Sequence, residues 1–577
     1  MASTRRVVDY IVGDLLARGV DYVFGVDGAN IEDLYDAAFF CDGLTAVLAK
    51  HEFSAATMAD GYSRASSKLG VVMATSGGGS LNLVAGLGES LTSRVSVLAL
   101  VGQAPTTLDG RGSFQDTSGR NGSLNAEALF SAVSVYCRRV LTPADIVTAL
   151  PEAVAAARTG GPAVLLLPKD VQQSDVVVDG TVIADPPKSP PGDPRPLTHA
   201  LQRAHGPVTI IAGEQVARDD ARAELEELRA ILRARVATVP DAKDVSGSPG
   251  LGSSSALGVT GVMGHPGVAD AVRESALCLL VGTRLSVTAR AGLDTALAAV
   301  RTMSIGSAPP YLPCTHVHTD DLRVSLSRLT RSLTGKGRPS CLRVPDSLPH
   351  AELRPPTHRG EGIRYRDAMT VLDAALPDTV DIVVDAGNTG AAAIHHLPVR
   401  RAGRFVVALG MGGMGYSFGA GVGICFARRR RTVVIAGDGA FFMHGLELHT
   451  AIQYQLPVTL VLFNNNAHAM CVTREKLFYD DLYSYNRFTR SLLGAGLAAM
   501  FPGLPSVDVS AIDALPNALR TALDLDGPSV VSVECSADEI PPFAPFLSES
   551  HAGSTVPQPV SSVENQKEER HDVAARA

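Results

Sequence analysis

Gly437-Asp438-Gly439-Ala440 opens a stretch that closes on Asn464-Asn465-Asn466, with a helix-like segment and the apolar run Pro457 to Phe463 between them. Asp438 and Asn465 stand 27 positions apart, which is room for one helix and one buried strand. A second apolar run, Thr432 to Ala436, leads into Asp438. The pattern predicts strand, helix, strand, with both residues ending at one edge of a parallel sheet. The Asp438 carboxylate and the Asn465 amide carbonyl suit a Mg²⁺ ion, which takes oxygen ligands and shares them with substrate phosphates. The glycines let the backbone come close to a phosphate, and a helix N-terminus favours negative charge. A lone Gly-Asp-Gly would be only a turn. The flanking strands and the interval make it a candidate metal–diphosphate clamp.

Outward from this stretch, strand and helix patterns alternate along the chain, which predicts an α/β fold of three doubly wound parallel-sheet domains. The first block covers 1–185, with expected helices over Val7–Arg18, from Glu52 and near Asn82–Ser90. Its expected strands are Tyr22–Gly25, Leu44–Val47, Gly70–Thr75, Val95–Val101 and Ala163–Leu167. A proline-rich linker is expected over 186–196. A middle block follows over 197–345, with strands Val208–Ala212, Arg235–Val239, Leu277–Val281 and Arg301–Ile305. After a second linker, 346–359, the third block runs over 360–546. Its strands are Ile382–Asp385, Arg404–Ala408, Thr432–Ala436, Val458–Phe463 and Ser529–Glu534. The tail, 547–577, is polar and expected to be disordered. Arg428–Arg431 reads as a solvated turn at a helix C-terminus.

With 577 residues the chain is too long for one core, and 55 glycines suit many strand–helix turns. A net charge of −8 gives no global attraction to nucleic acid. No stretch reads as a membrane span, and the N-terminus leads into an amphipathic helix rather than a signal peptide. Eight scattered cysteines without a CxxC pair are expected as free thiols in a reducing cytoplasm.

The Gly437–Asn466 stretch resembles the signature of thiamine-diphosphate (ThDP) enzymes, a GDG followed by paired asparagines. The resemblance extends along most of the chain to the acetolactate synthases, pyruvate oxidases and related 2-oxo-acid decarboxylases. It implies a pyrimidine-binding first domain, a middle domain and a diphosphate-binding third domain. Phe24-Gly25-Val26-Asp27-Gly28-Ala29 resembles the first active-site loop, placing Gly28 and Ala29 beside substrate. His51-Glu52 resembles the catalytic Glu that works on the aminopyrimidine; taken alone, Glu52 is an ordinary acid at a helix N-terminus. Thr75–Asn82 resembles the glycine turn, and Gly102–Pro105 with Phe114-Gln115-Asp116 resembles the substrate-side loops. Gly410-Met411-Gly412-Gly413-Met414-Gly415 resembles the segment that bends the cofactor. The Gly412 carbonyl would accept from the 4′-amino group, and Met414 would wedge between the rings. Taken alone, Met414 is a core methionine.

The same resemblance implies cofactor contacts at Gly387, Asn388, Gly439 and Ala440, and metal ligands Asp438, Asn465 and Ala467. It implies active sites shared between subunits of a homodimer or homotetramer. FAD, carried by some members, is secured by no motif here.

These enzymes share the loss of CO₂ from a 2-oxo acid, and the fate of the remaining fragment decides the activity. Protonation needs a placed acid. Pyruvate decarboxylases carry a His-His pair near Arg111–Gln115 and a Glu at the position of Cys471. Benzoylformate decarboxylase has a His at the position of Thr75. None of these is present. Asn464–Tyr479 instead aligns without gaps to the acetolactate-synthase pattern. A ThDP- and Mg²⁺-dependent carboligase is therefore expected, with Gln115 lining the pocket and positioning the second carbonyl. Arg474 stands where those enzymes have Trp, and offers a fork for carboxylate or phosphate; its plain alternative is a surface arginine. Cys471, a weak acid, could serve as a poor proton donor, and is expected instead as a small core residue on the substrate side. The alternatives are a non-oxidative decarboxylase, an oxidase and a catalytically silent binding paralogue.

Overall fold

The computed structural model describes residues 3–178, 191–246, 256–335, 351–400 and 402–547. Residues 186–190 of the first expected linker, 346–350 of the second and nearly all of the expected tail lie outside these residues. One correction falls at the first linker: a helix, Arg195–Arg203, begins inside 186–196 with Pro196 in its first turn, where the missing N–H costs nothing.

Three six-stranded sheets follow one another, and every strand pair within them is parallel. Counting strands in chain order within each sheet, the first and third share the order 2-1-3-4-6-5, and the middle sheet is ordered 3-2-1-4-5-6. In the first sheet strands one and three are Tyr22–Val26 and Gly70–Ala74; in the third they are Asp381–Val384 and Thr432–Gly437. The strand order reverses between those two strands. Such a switch point leaves a crevice beyond the strands' carboxyl ends, where α/β sheets take ligands.

The central strands are largely apolar and almost wholly buried, Val458–Asn464 at every residue, because helices cover both faces. Short edge strands escaped the sequence pattern: Tyr136–Arg139, Ala256–Val259, Thr315–His318 and Ser506–Val509. So did an antiparallel pair, Ser3–Arg6 with Asp175–Val178, outside the main sheets.

The first and third units share one core. Helix Glu52–Ser66 packs on helix Tyr416–Arg428, and Phe24, Ala55, Phe418, Val422 and Val434 belong to the same buried cluster. Small residues make the approach possible. A Cβ at Gly61 would lie 2.5 Å from the Ala420 carbonyl oxygen, and one at Gly423 would lie 2.0 Å from that of Met58.

The run Arg428–Arg431 is not the solvated turn expected. Arg428 and Arg430 reach the fully buried Asp381 at 2.9 and 3.2 Å, and Arg429 lies over the Tyr22 ring at 5.5 Å. A buried carboxylate needs cations, and the turn between helix and strand supplies them. Among the described residues, no helix is long and apolar enough to cross a membrane. The seven described cysteines are free thiols.

Candidate active site

Two clusters of the expected residues form, one at each switch point. In the third unit, strand Thr432–Gly437 delivers Asp438 to the first position of helix Asp438–His444, and strand Val458–Asn464 ends one residue before Asn465. The two strands pair in register from Thr432 with Val458 to Gly437 with Phe463, so their ends lie side by side. Asp438 is fully buried; its Oδ2 accepts from the Ala467 backbone N–H at 3.2 Å. Its Oδ1 has no partner, nor has the Oδ1 of Asn465, whose amide nitrogen donates to the Tyr365 hydroxyl at 3.2 Å. Burial pushes the Asp438 carboxyl up to about 6, against the pull of neighbouring backbone N–H groups.

Two buried oxygen acceptors left open just beyond the ends of neighbouring strands fit a hard cation that keeps places for phosphate oxygens. Gly387 (φ +92°) and Asn388, whose Oδ1 is also unpartnered, follow strand Asp381–Val384. A Cβ at Gly437 would lie 3.9 Å from the Thr389 hydroxyl, so both switch-point loops line this crevice. A side chain at Gly439 would meet His468 Nδ1 at 2.5 Å and Met414 Cε at 3.3 Å. A Cβ at Gly387 or at Gly412 (φ +65°) would point into open space. The residues present thus fit a metal-bound diphosphate, with Ala440 buried in the same helix turn.

In the first unit, the expected residues gather around Thr75. Glu52 starts its helix, with His51 as the N-cap accepting from the Phe53 N–H at 3.1 Å. The Glu52 carboxylate is buried and accepts from the Asn82 side-chain amide at 2.9 Å. A Cβ at Gly79 would meet Glu52 Oε1 at 2.9 Å and the Thr75 methyl at 2.8 Å, and one at Gly28 would meet that same methyl at 2.7 Å. Gln115 sits in the left-handed region (φ +58°), and its Oε1 accepts from the Thr75 and Ser76 hydroxyls at 3.2 and 3.4 Å. Asn30 closes the network by donating to Ser76 at 2.7 Å. Phe114 is 73% exposed, and Ala29 accepts from the Lys169 ammonium at 2.6 Å. Thr75, Ser76, Gln115 and Asn30 of this pocket are thus hydrogen-bonded to one another.

The segments that carry the two clusters touch within the chain, where Phe53 stacks on His444 with ring centroids 4.3 Å apart. The contacts of the Glu52 carboxylate described above lie inside the first unit.

Two expectations at the substrate side change. Cys471 is exposed rather than a core residue, on helix Ala469–Phe478, because the buried side of that helix is taken by Ala469, Val472, Thr473 and Glu475. Arg474 is exposed one turn further on and makes no salt bridge among the described residues, whereas nearby Lys476, Arg487 and Arg490 are paired with Asp538 and Glu534. Sequence reasoning also missed His468. Its Nδ1 is buried and unpartnered against Gly439, and its ring packs edge-on against Phe488 at 4.7 Å. The only signal was its place between the paired asparagines and the helix. Asp385 was missed as well. It accepts from the Gly415 and Ser417 N–H groups at 3.0 and 2.9 Å, fixing the far end of the Gly410–Gly415 loop.

Comparison with known proteins agrees with this geometry. Residues 5–122 match the profile of the N-terminal TPP binding domain of thiamine pyrophosphate enzymes, 195–313 that of their central domain, and 385–533 that of their C-terminal TPP binding domain. The acetolactate synthase isozyme 2 large subunit of Escherichia coli (strain K12) is 30% identical over 553 residues, covering 93% of this chain and 96% of the relative. A probable acetolactate synthase large subunit of Methanocaldococcus jannaschii is 28% identical, covering 93% of each chain. The chloroplastic acetolactate synthase of Arabidopsis thaliana is 27% identical, covering 93% of this chain and 82% of the relative. The three sheets lie in the order of the three matched domains, and the chain belongs to the thiamine-pyrophosphate-dependent enzymes, in the acetolactate synthase family.

Proposed function

We propose that the chain is a ThDP- and Mg²⁺-dependent carboligase that decarboxylates pyruvate or another 2-oxo acid. It adds the acyl fragment to a second carbonyl compound, giving an acetolactate- or acyloin-type product. The observation that carries the reading is the open pair of buried oxygens, Asp438 Oδ1 and Asn465 Oδ1, in a chain whose relatives are acetolactate synthases. Asp438, Asn465 and the Ala467 carbonyl would hold Mg²⁺; Gly387, Asn388, Gly439 and Ala440 would line the diphosphate; Gly412 and Met414 would face the rings. Bound ThDP supplies the carbon nucleophile and stores the fragment left after CO₂ loss. The protein's part is to place protons and substrates. Glu52, buried and oriented by Asn82, would hold the proton that bound ThDP needs at its aminopyrimidine. Gln115, held over Thr75 and Ser76, orients the acceptor carbonyl. Arg474, exposed and without an acidic partner among the described residues, favours an acceptor that carries a carboxylate or phosphate, and so a specialised biosynthetic one.

The working enzyme is proposed as a homodimer or homotetramer with sites at the interface, where Glu52 of one subunit would face Asp438 of another. Met411, Phe442, Met443 and Leu446, on the segments that carry Gly412 and Asp438, are 63, 54, 49 and 51% exposed, an apolar surface suited to a partner subunit. The cytoplasm is the proposed location. FAD is left out of the proposal. The turn after the first strand of the middle sheet is Gly213-Glu214, beside a cavity of about 780 Å³ between the units. A pyrophosphate approaching there would meet the Glu214 carboxyl, which burial and Asp241 push up to about 7.

A non-oxidative decarboxylase is the second reading, favoured by the open His468 Nδ1 as a proton source. Purified enzyme with ThDP, Mg²⁺ and pyruvate, with and without a panel of carbonyl acceptors, separates the two by mass spectrometry. A coupled product is expected; aldehyde alone would select the decarboxylase.

A further inference from the structure

The Gly410–Gly415 loop has four glycines in six residues, and its exposed stretch, 410–413, has little packing of its own. Such a chain has many conformations to lose, so its shape must be imposed from outside. At one end Asp385, from the same unit, holds Gly415 and Ser417. At the other end the pin comes from the first unit. Glu89, on the last turn of helix Gly78–Thr92, accepts from the Met411 N–H at 2.6 Å through Oε2 and from the Gly410 N–H at 3.2 Å through Oε1. The fit is close: a Cβ at Gly410 would lie 2.2 Å from the Thr92 hydroxyl.

Glu89 is only 3% exposed, and its remaining contacts are built to keep it charged and still. Ser93 donates to it at 2.6 Å and Arg64 at 3.2 Å. Arg64 in turn holds Asp60 at 2.6 Å, and Asp60 accepts from the Tyr416 hydroxyl at 2.5 Å, at the first residue after the loop. Burial pushes the Glu89 carboxyl up. Arg64 and the bonds from Ser93, Met411 and Gly410 outweigh it and hold the carboxyl below its ordinary range.

We propose that Glu89 is a positioning residue for the cofactor: a carboxylate of the pyrimidine-binding unit that fixes the diphosphate-binding unit's Gly410–Gly415 loop, and through it Gly412 and Met414. The inference rests on the reading of that loop as the segment that bends ThDP. It goes beyond that reading by assigning the loop's shape to a residue of another unit.

The test uses the full-length enzyme and four readouts: hydrogen exchange at Gly410 and Met411, the ThDP dissociation constant with Mg²⁺, the near-ultraviolet circular dichroism of bound ThDP, and kcat against KM. Glu89→Gln removes the charge and one acceptor. Glu89→Asp keeps the charge for Arg64 but falls short of the loop by a methylene, and so serves if the first variant does not fold. Protection at Gly410 and Met411 is expected to be lost in both. ThDP binding is expected to weaken and kcat at saturating ThDP to fall about 10- to 100-fold, with KM for the 2-oxo acid little changed. The cofactor's dichroic signal should fall with it. Met414→Ala is the control. If Met414→Ala weakens ThDP binding while the Glu89 variants leave binding, dichroism and exchange unchanged, the clamp is refuted. If neither residue affects ThDP, the loop does not serve the cofactor and the underlying reading fails with it.

Discussion

The first and third sheets have the same strand order and the same switch point, yet they are furnished for different tasks. At the third, the turn after strand three is Gly437-Asp438-Gly439, which leaves a buried carboxylate oxygen open, and Asn465 after strand four leaves an amide oxygen open. At the first, the matching turn is Thr75-Ser76-Gly77, and its hydroxyls are closed into a network with Asn30 and Gln115. The third crevice therefore suits a metal and phosphates. The first suits an uncharged ring and a small carbonyl compound, with Glu52 as its one buried acid beside Thr75. One topology provides the place; a few turn residues decide what is held there.

The largest expected effects would break that comparison if it is wrong. Asp438→Asn should abolish Mg²⁺-dependent ThDP binding in calorimetry. Glu52→Gln should leave binding largely intact while turnover falls about 10²- to 10⁴-fold, the usual contribution of a placed acid–base group. Equal loss of binding in both variants would erase the division of labour.

A smaller effect concerns the shared core. Gly61→Val drives a side chain into the Ala420 carbonyl, and overpacking of this kind costs about 1–3 kcal/mol. Denaturant unfolding should show the loss; an unchanged midpoint would mean the helices do not pack as described.

The smallest is a pH effect. The folded-state pKa of Asp438 is raised by burial from 3.8 to about 6. Without metal, the folded chain binds more protons than the unfolded one between those values. The group's stability contribution is present at low pH and lost as pH rises through about 6. Mg²⁺ takes the ionised form, so its binding should release protons and weaken as pH falls through about 6. Titration across that window, without a slope, would remove Asp438 from the metal site.

The third unit's clamp was legible because its signals are local: glycine turns and apolar strands next to the ligating residues. The three-sheet α/β fold was legible for the same reason, since buried parallel strands are unbroken apolar runs. Edge strands such as Tyr136–Arg139, only partly buried throughout, carry no such run. Glu52 stood out only by resemblance. Glu89 was invisible because its partners, Gly410 and Met411, lie more than 300 positions away. Arg428 and Arg430 looked like surface charge for the same reason, as Asp381 is remote in sequence. His468 drew no attention because its meaning lies in the space beside Gly439, which only the fold creates.

The most direct test of the divided site is complementation between Glu52→Gln and Asp438→Asn chains, each inactive alone. Purified mixed dimers would contain one site with both residues intact and one with neither, if the two units meet across subunits. The account predicts recovery of about half the wild-type activity per mixed dimer. No recovery in mixed dimers that form and fold would contradict it, and would put Glu52 and Asp438 to work within a single chain.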